Sequence, residues 1–159
     1  MFDKLSAATT RSAFSVATVV LMTAGGLLTG TPARAAAFTC AGEPATIIGP
    51  QLGNVTHGTE GDDVILTFNA RDYIRAGAGN DLICSGPGND TIDAHEGDDI
   101  IYSEDGNDDI RSGPGSDWMF GGNGNDLLLG QGNDNNAADG GPGTDDCSFV
   151  RIAISCERN

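Results

Sequence analysis

The sequence predicts an all-β fold, a parallel β-solenoid of about eight to ten nine-residue blocks with short disulfide-tied caps, and three regularities predict it. From residue 58 the chain divides into GTEGDDVIL, TFNARDYIR, AGAGNDLIC, SGPGNDTID, AHEGDDIIY, SEDGNDDIR, SGPGSDWMF and GGNGNDLLL, eight blocks without an insertion. The sixth position is always aspartate: Asp63, Asp72, Asp81, Asp90, Asp99, Asp108, Asp117 and Asp126. The eighth is always apolar: Ile65, Ile74, Ile83, Ile92, Ile101, Ile110, Met119 and Leu128. The fourth is glycine at Gly61, Gly79, Gly88, Gly97, Gly106, Gly115 and Gly124, with Ala70 the exception.

The segment ahead of the repeats reads differently. Asp3, Lys4 and Arg11 make a charged start, Ala13 to Leu28 is mostly apolar or small, and Ala33-Arg34-Ala35-Ala36-Ala37 follows a polar stretch. That order is the pattern of a secretory signal peptide over residues 1–37, with cleavage expected after Ala35 or Ala37. The apolar run falls short of the ~20 residues a membrane span needs. With no second such stretch, the expected product is secreted and extracellular, with no membrane span after signal cleavage.

Residues 38–57 are expected to form an N-terminal cap. Within it, Gly49 to His57 fits the repeat frame as a vestigial block, with Asn54 in the aspartate slot and Thr56 in the apolar slot. Residues 149–159 form the expected C-terminal cap. Cys40, Cys84, Cys147 and Cys156 are an even set in an exported chain, which favours disulfides and allows three connectivities. The preferred pairs are Cys147–Cys156, whose intervening residues suit a hairpin, and Cys40–Cys84, tying the N-terminal cap to the first coils.

Between the caps each block has a Gly-rich polar six and then three residues of higher β propensity, a turn and a very short strand. The middle residue of such a strand points opposite to its neighbours, so position eight faces inward and positions seven and nine face out. Position seven is accordingly mixed (Val64, Tyr73, Thr91, Asp109, Trp118), as is position nine (Arg75, Asp93, Phe120). Stacked blocks then share a single inner ladder of Ile, Met and Leu.

Charge narrows the function. The chain has 23 acids and 8 bases, and residues 1–37 hold one acid and three bases; the remainder carries 22 acids against five arginines, a net charge of −17. Nucleic acid is excluded as the main partner, because phosphate binding needs clustered Lys and Arg. Stacking the blocks brings aspartates into rows that repel, so a cation is expected between them. Carboxylate and carbonyl oxygens, with no recurring His or Cys, select calcium over transition metals, and its irregular six to eight ligands suit it better than the strict octahedron of magnesium.

Blocks such as GGNGNDLLL resemble the Gly-Gly-x-Gly-x-Asp-x-apolar-x nonapeptide of the RTX (repeats-in-toxin), hemolysin-type calcium-binding family. The resemblance covers residues 58–148 and implies a parallel β-roll in which two nonapeptides make one coil and calcium sits between turns on the same edge. It places Asp63, Asp81, Asp99 and Asp117 on one edge and Asp90, Asp108 and Asp126 on the other. The implied ligands are those carboxylates and backbone carbonyls around the position-four glycines.

The pattern departs in two places. In TFNARDYIR, Ala70 replaces a glycine expected to need positive φ and Arg71 sets a cation beside Asp72, so that turn is expected to bind weakly or not at all. After Leu129 the spacing slips by one residue lost and two gained, which leaves Asp134 and Asp145 as further ligands in irregular turns.

An enzyme is not expected. The only histidines, His57 and His95, lie in no His-Glu-x-x-His motif, and no Gly-x-Ser-x-Gly elbow occurs. The outward Trp118 and Phe120 form an apolar patch that would suit a cell-surface or matrix partner, the sole support for a scaffold role.

Overall fold

Hydrogen bonding between residues eighteen apart organises the chain, as blocks that pair off two to a coil require. The computed structural model describes residues 38–131 and 135–157. The expected signal segment, Asp134 and the last two residues of the expected C-terminal cap lie outside them.

Strands β1 (Thr39–Cys40) and β2 (Glu43–Pro44) form a small antiparallel pair. The other strands fall into two parallel sheets. One contains β3 (Ile47–Ile48), β5 (Val64–Leu66), β7 (Leu82–Cys84), β9 (Ile100–Tyr102), β11 (Trp118–Phe120), β13 (Ala137–Asp139) and β15 (Ile152–Ile154). The second contains β4 (Val55–His57), β6 (Tyr73–Ala78), β8 (Thr91–Glu96), β10 (Asp109–Arg111), β12 (Leu127–Leu129) and β14 (Asp146–Ser148). Successive strands alternate between sheets, so each coil gives one strand to each, in about six turns of a parallel β-solenoid.

Position eight sets the register. Ile65, Ile83, Ile101 and Met119 stack in one sheet, and Ile74, Ile92, Ile110 and Leu128 in the other. All are buried, and together they line the space between the sheets. The ladder is not single, however. Position one also turns inward, burying Thr67, Ala76, Ser85, Ala94, Ser103 and Ser112. Position one lies two residues after position eight, so the strand alternation turns it inward as well, as the burial pattern of β6 and β8 shows. Three of the hydroxyls reach the next coil: Thr67 Oγ1 donates to Ser85 O at 2.6 Å, Ser85 Oγ to Ser103 O at 3.1 Å and Ser103 Oγ to Gly121 O at 2.7 Å. In β6 and β8 the pairing continues past the expected three residues, with Gly77 opposite His95 and Ala78 opposite Glu96.

The sheets extend past residues 58–148 at both ends. Ile47 pairs with Ile65, and Thr56 with Ile74, so the vestigial block forms a full strand in register. At the far end Ile152 pairs with Ala137 inside the expected C-terminal cap. The slip after Leu129 is one net residue, since Ala137 lies opposite Trp118 and Asp146 opposite Leu127.

Both preferred disulfides are present, Cys40–Cys84 and Cys147–Cys156. The first covers Cys84, a position-nine residue, with the N-terminal segment, and both cysteines are buried. The hairpin expected between Cys147 and Cys156 does not form: β14 and β15 belong to different sheets, so the bond spans the open end of the last coil. Eight residues suffice for half a coil as well as for a hairpin, and spacing alone does not separate the two.

Candidate metal centre

Every turn delivers its position-six aspartate to a column in which each carboxylate caps the coil before it. On one edge Asp63 N–H donates to Asp81 Oδ1, Asp81 N–H to Asp99 Oδ1 and Asp99 N–H to Asp117 Oδ1, at 2.9 to 3.0 Å. On the other, Asp72 N–H donates to Asp90 Oδ1, Asp90 to Asp108 and Asp108 to Asp126, at 2.8 to 2.9 Å. The edges alternate as expected. One carboxylate oxygen is thereby committed to backbone, which holds the side chain aimed into the turn.

The second oxygen has a different fate. Oδ2 of Asp72, Asp81, Asp90, Asp99, Asp108, Asp126 and Asp145 is buried without a hydrogen-bond partner. A buried carboxylate oxygen left unpaired is costly, and a row of them repeated at every coil would suit a cation. The glycines complete the site. A Cβ on Gly124, whose φ is +149°, would lie 1.5 Å from the carbonyl oxygen of Gly106, so the backbones approach there as only glycine permits. Carbonyls of the position-four residues thus point into the same turns as the aspartates.

Burial away from water dominates the carboxyl chemistry. It lifts Asp81 and Asp90 to about 6, and Asp99 and Asp108 to about 7, from an ordinary 3.8. Hydrogen bonds from the preceding coil's backbone pull the other way, and stacked neighbours such as Asp81 beneath Asp99 add to the rise. The Ser85 hydroxyl near Asp90 also pulls its carboxyl down. Its single proton is directed to Ser103 O at 3.1 Å, so it does not satisfy Asp90 Oδ2.

The ends of the columns hold residues that the repeat pattern does not announce. Asp63 Oδ2 accepts from Thr59 N–H and Thr59 Oγ1, both at 2.8 Å, and its Oδ1 accepts from Thr46 Oγ1, so Asp63 caps its column. Asn54 N–H donates to Asp72 Oδ1 at 3.1 Å. Ala70 needs no positive φ, contrary to expectation, and its carbonyl lies 1.9 Å from where a Gly88 Cβ would be, as a glycine's would. Asp72 is buried in line with the rest. After the slip, Asn136 takes the aspartate slot above Asp117, accepting from its N–H at 3.0 Å, in a place the spacing reading did not reach. Asp145 takes the slot above Asp126, accepting at 2.9 Å, and its own N–H donates to Glu157. His95 sits on the outer face with Asp93 and Arg75, each at 3.3 Å, away from the columns.

Among the described residues no three His, Cys, Asp or Glu side chains converge as a metal cluster. What the turns offer a cation is one or two carboxylates together with backbone carbonyls. That all-oxygen, irregular set fits calcium. No helix among the described residues is long and apolar enough to cross a membrane.

Two parallel sheets closed by turns with inward-aimed carboxylates define a metal-binding repeat solenoid. Residues 53–83, 85–110, 103–136 and 111–147 match the RTX calcium-binding nonapeptide repeat in four copies, and the chain belongs to that family, with calcium as its metal. No curated protein and no solved structure matches it. Its two disulfides are of the kind that persist in oxidising compartments.

Proposed function

We propose that this protein is a secreted calcium-binding β-roll that folds as several calcium ions enter between stacked turns on both edges. The carrying observation is the repeated, buried, unpaired Oδ2 at eighteen-residue spacing. The ligands in this reading are Asp81, Asp99 and Asp117 on one edge and Asp90, Asp108 and Asp126 on the other, with carbonyls around Gly79, Gly88, Gly97, Gly106, Gly115 and Gly124. Asp63 with Gly61, and Asp72 and Asp145, serve the end turns. Calcium supplies the positive charge that lets adjacent buried carboxylates remain ionised, and the chain supplies their orientation.

The energetics are of the right order. At calcium ten times a site's dissociation constant, each site contributes about 1.4 kcal/mol. About five such sites give roughly 7 kcal/mol, comparable to the whole stability of a domain. Export is supported by the leader-like residues 1–37 and the two disulfides. No catalytic step belongs to this reading.

The test is a calcium titration of oxidised, chelator-stripped protein followed by far-UV circular dichroism, with magnesium as control. A cooperative coil-to-β transition near about 0.1–1 mM calcium, absent with magnesium, is expected. A full β signal in chelator would instead make calcium an accessory.

A second reading, a calcium-stabilised scaffold for a cell-surface or matrix partner, is favoured by the outer face of the larger sheet. Tyr102 and Phe120 stack with centroids 4.8 Å apart, Trp118 lies 6.3 Å from Phe120, and Trp118 is 52% exposed. The partner chemistry is left to experiment: Trp118→Ser with Phe120→Ser should abolish capture while sparing calcium affinity, and joint loss would mark the pair as structural.

A further inference from the structure

The C-terminal tail imitates one more turn of the roll. Inside the repeats, a Cβ placed on Gly121 would lie 2.5 Å from Asp126 Oδ2 and 2.7 Å from Gly140 O, so those two oxygens border one small space. One coil later, a Cβ on Gly140 would lie 2.6 Å from Asp145 Oδ2 and 2.5 Å from Ser155 O. Ser155 thus offers its carbonyl where the next repeat would offer its own. The carboxylate is replaced as well. Asp126 N–H donates to Asp145 Oδ1, and Asp145 N–H donates in the same manner to Glu157 Oε2 at 2.5 Å, while Glu157 N–H returns a bond to Asp145 O at 2.7 Å.

We infer that Glu157, with Asp145 and the Ser155 carbonyl, forms a terminal calcium site supplied from outside the repeats. The inference rests on the calcium reading above, and extends it to a residue beyond the matched segment, which ends at 147. Asp145 is 1% exposed and its Oδ2 has no hydrogen-bond partner, so it meets the same condition as the interior aspartates. The tail reaches from Ser155 to Glu157 in two residues, where the repeat takes five from Gly140 to Asp145. The extra methylene of glutamate helps to span the difference. Cys156, between the two, is bonded to Cys147 of β14, which fixes the tail across the end of the last coil. The other edge ends differently. There the slot above Asp117 holds Asn136, a neutral amide that donates to Gln131 O at 3.3 Å, so no comparable terminal carboxylate pair arises.

The test is calcium stoichiometry of the oxidised full chain by equilibrium dialysis, comparing the wild type with Glu157→Gln. Glutamine retains an oxygen to accept from Asp145 N–H and loses only the charge. The expected result is one calcium fewer, with the β signal at saturating calcium unchanged. An unaltered count with unaltered affinities would overturn the inference and leave Glu157 a backbone cap. Carboxylate ¹³C NMR of the folded, metal-loaded wild type, with calcium exchanged for a paramagnetic lanthanide, tests the site without any variant: a Glu157 resonance broadened as strongly as that of Asp126 supports it, and one left sharp overturns it. A wild type that binds no calcium would sink the roll reading itself, and is distinguished because the count is then zero before any substitution.

Discussion

Asp81, Asp99 and Asp108 each divide their two oxygens between two tasks. Oδ1 holds the turn to the preceding coil and Oδ2 is buried with nothing to accept from. Replacing Asp99 with asparagine keeps an oxygen for Asp81 N–H and removes the charge that burial penalises. In chelator Asp99→Asn should therefore raise the β signal, because the neutral amide removes a buried charge. In calcium it should lower the melting temperature by about 4 °C, a loss on the order of 1 kcal/mol. Circular dichroism in the two conditions checks this, and a shift of the same sign in both would refute the division of tasks. Glycines divide just as sharply. Gly124→Ala drives a methyl against Gly106 O and should cost about 1–3 kcal/mol by forcing the coils apart, whereas a Cβ on Gly61 meets nothing within 4 Å, so Gly61→Ala should melt within a degree or two of wild type.

At the scale of the element, a three-residue strand has one inward side chain and little else, so stability depends on stacking. Ile101 is fully buried between Ile83 and Met119. Ile101→Ala should cost the calcium-loaded fold about 2–5 kcal/mol while leaving the number of bound calcium ions unchanged, because the cavity is independent of the turns. Denaturant melts in saturating calcium read the loss, and a lost calcium would place Ile101 in the metal chemistry instead. The strands were legible because position eight never varies in character. The inward turn of position one was not, since Thr67, Ala76, Ser85 and Ala94 share only small size, which in a Gly-rich stretch looks like loop composition. Asn136 and Glu157 were illegible for a related reason: each reaches its column through a change of spacing, and a fixed frame of nine cannot follow the chain through it.

For the whole molecule, the two columns make calcium and protons opponents. Carboxyls raised by burial, as at Asp81, Asp90, Asp99 and Asp108, stabilise the metal-free fold below their ordinary value of 3.8. That contribution is lost as pH climbs through about 6 to 7. Metal-free protein should therefore gain β structure on going from pH 7.5 to 5. Calcium needs the ionised form, so its advantage runs the other way. The difference in β signal between calcium and chelator should be large at pH 7.5 and shrink toward pH 5. Equal differences at both values would mean that the buried aspartates are not the sites of action.

The amino-acid sequence by itself determined the period, and with it the inward ladder and an all-oxygen environment suited to calcium. These follow from which residue types recur, because a repeat that must stack on itself places like on like; the alternation of edges came with the resemblance to RTX repeats. Only the tertiary structure decided where the repetition stops. The Asp63 end closes on Thr59 and Thr46, the Asp117 column on an amide, and the Asp126 column on a glutamate held beside a disulfide. The terminal coils have a neighbour on one side only, so their polar groups are satisfied by whatever the flanking chain brings into reach, and that is a matter of path in space.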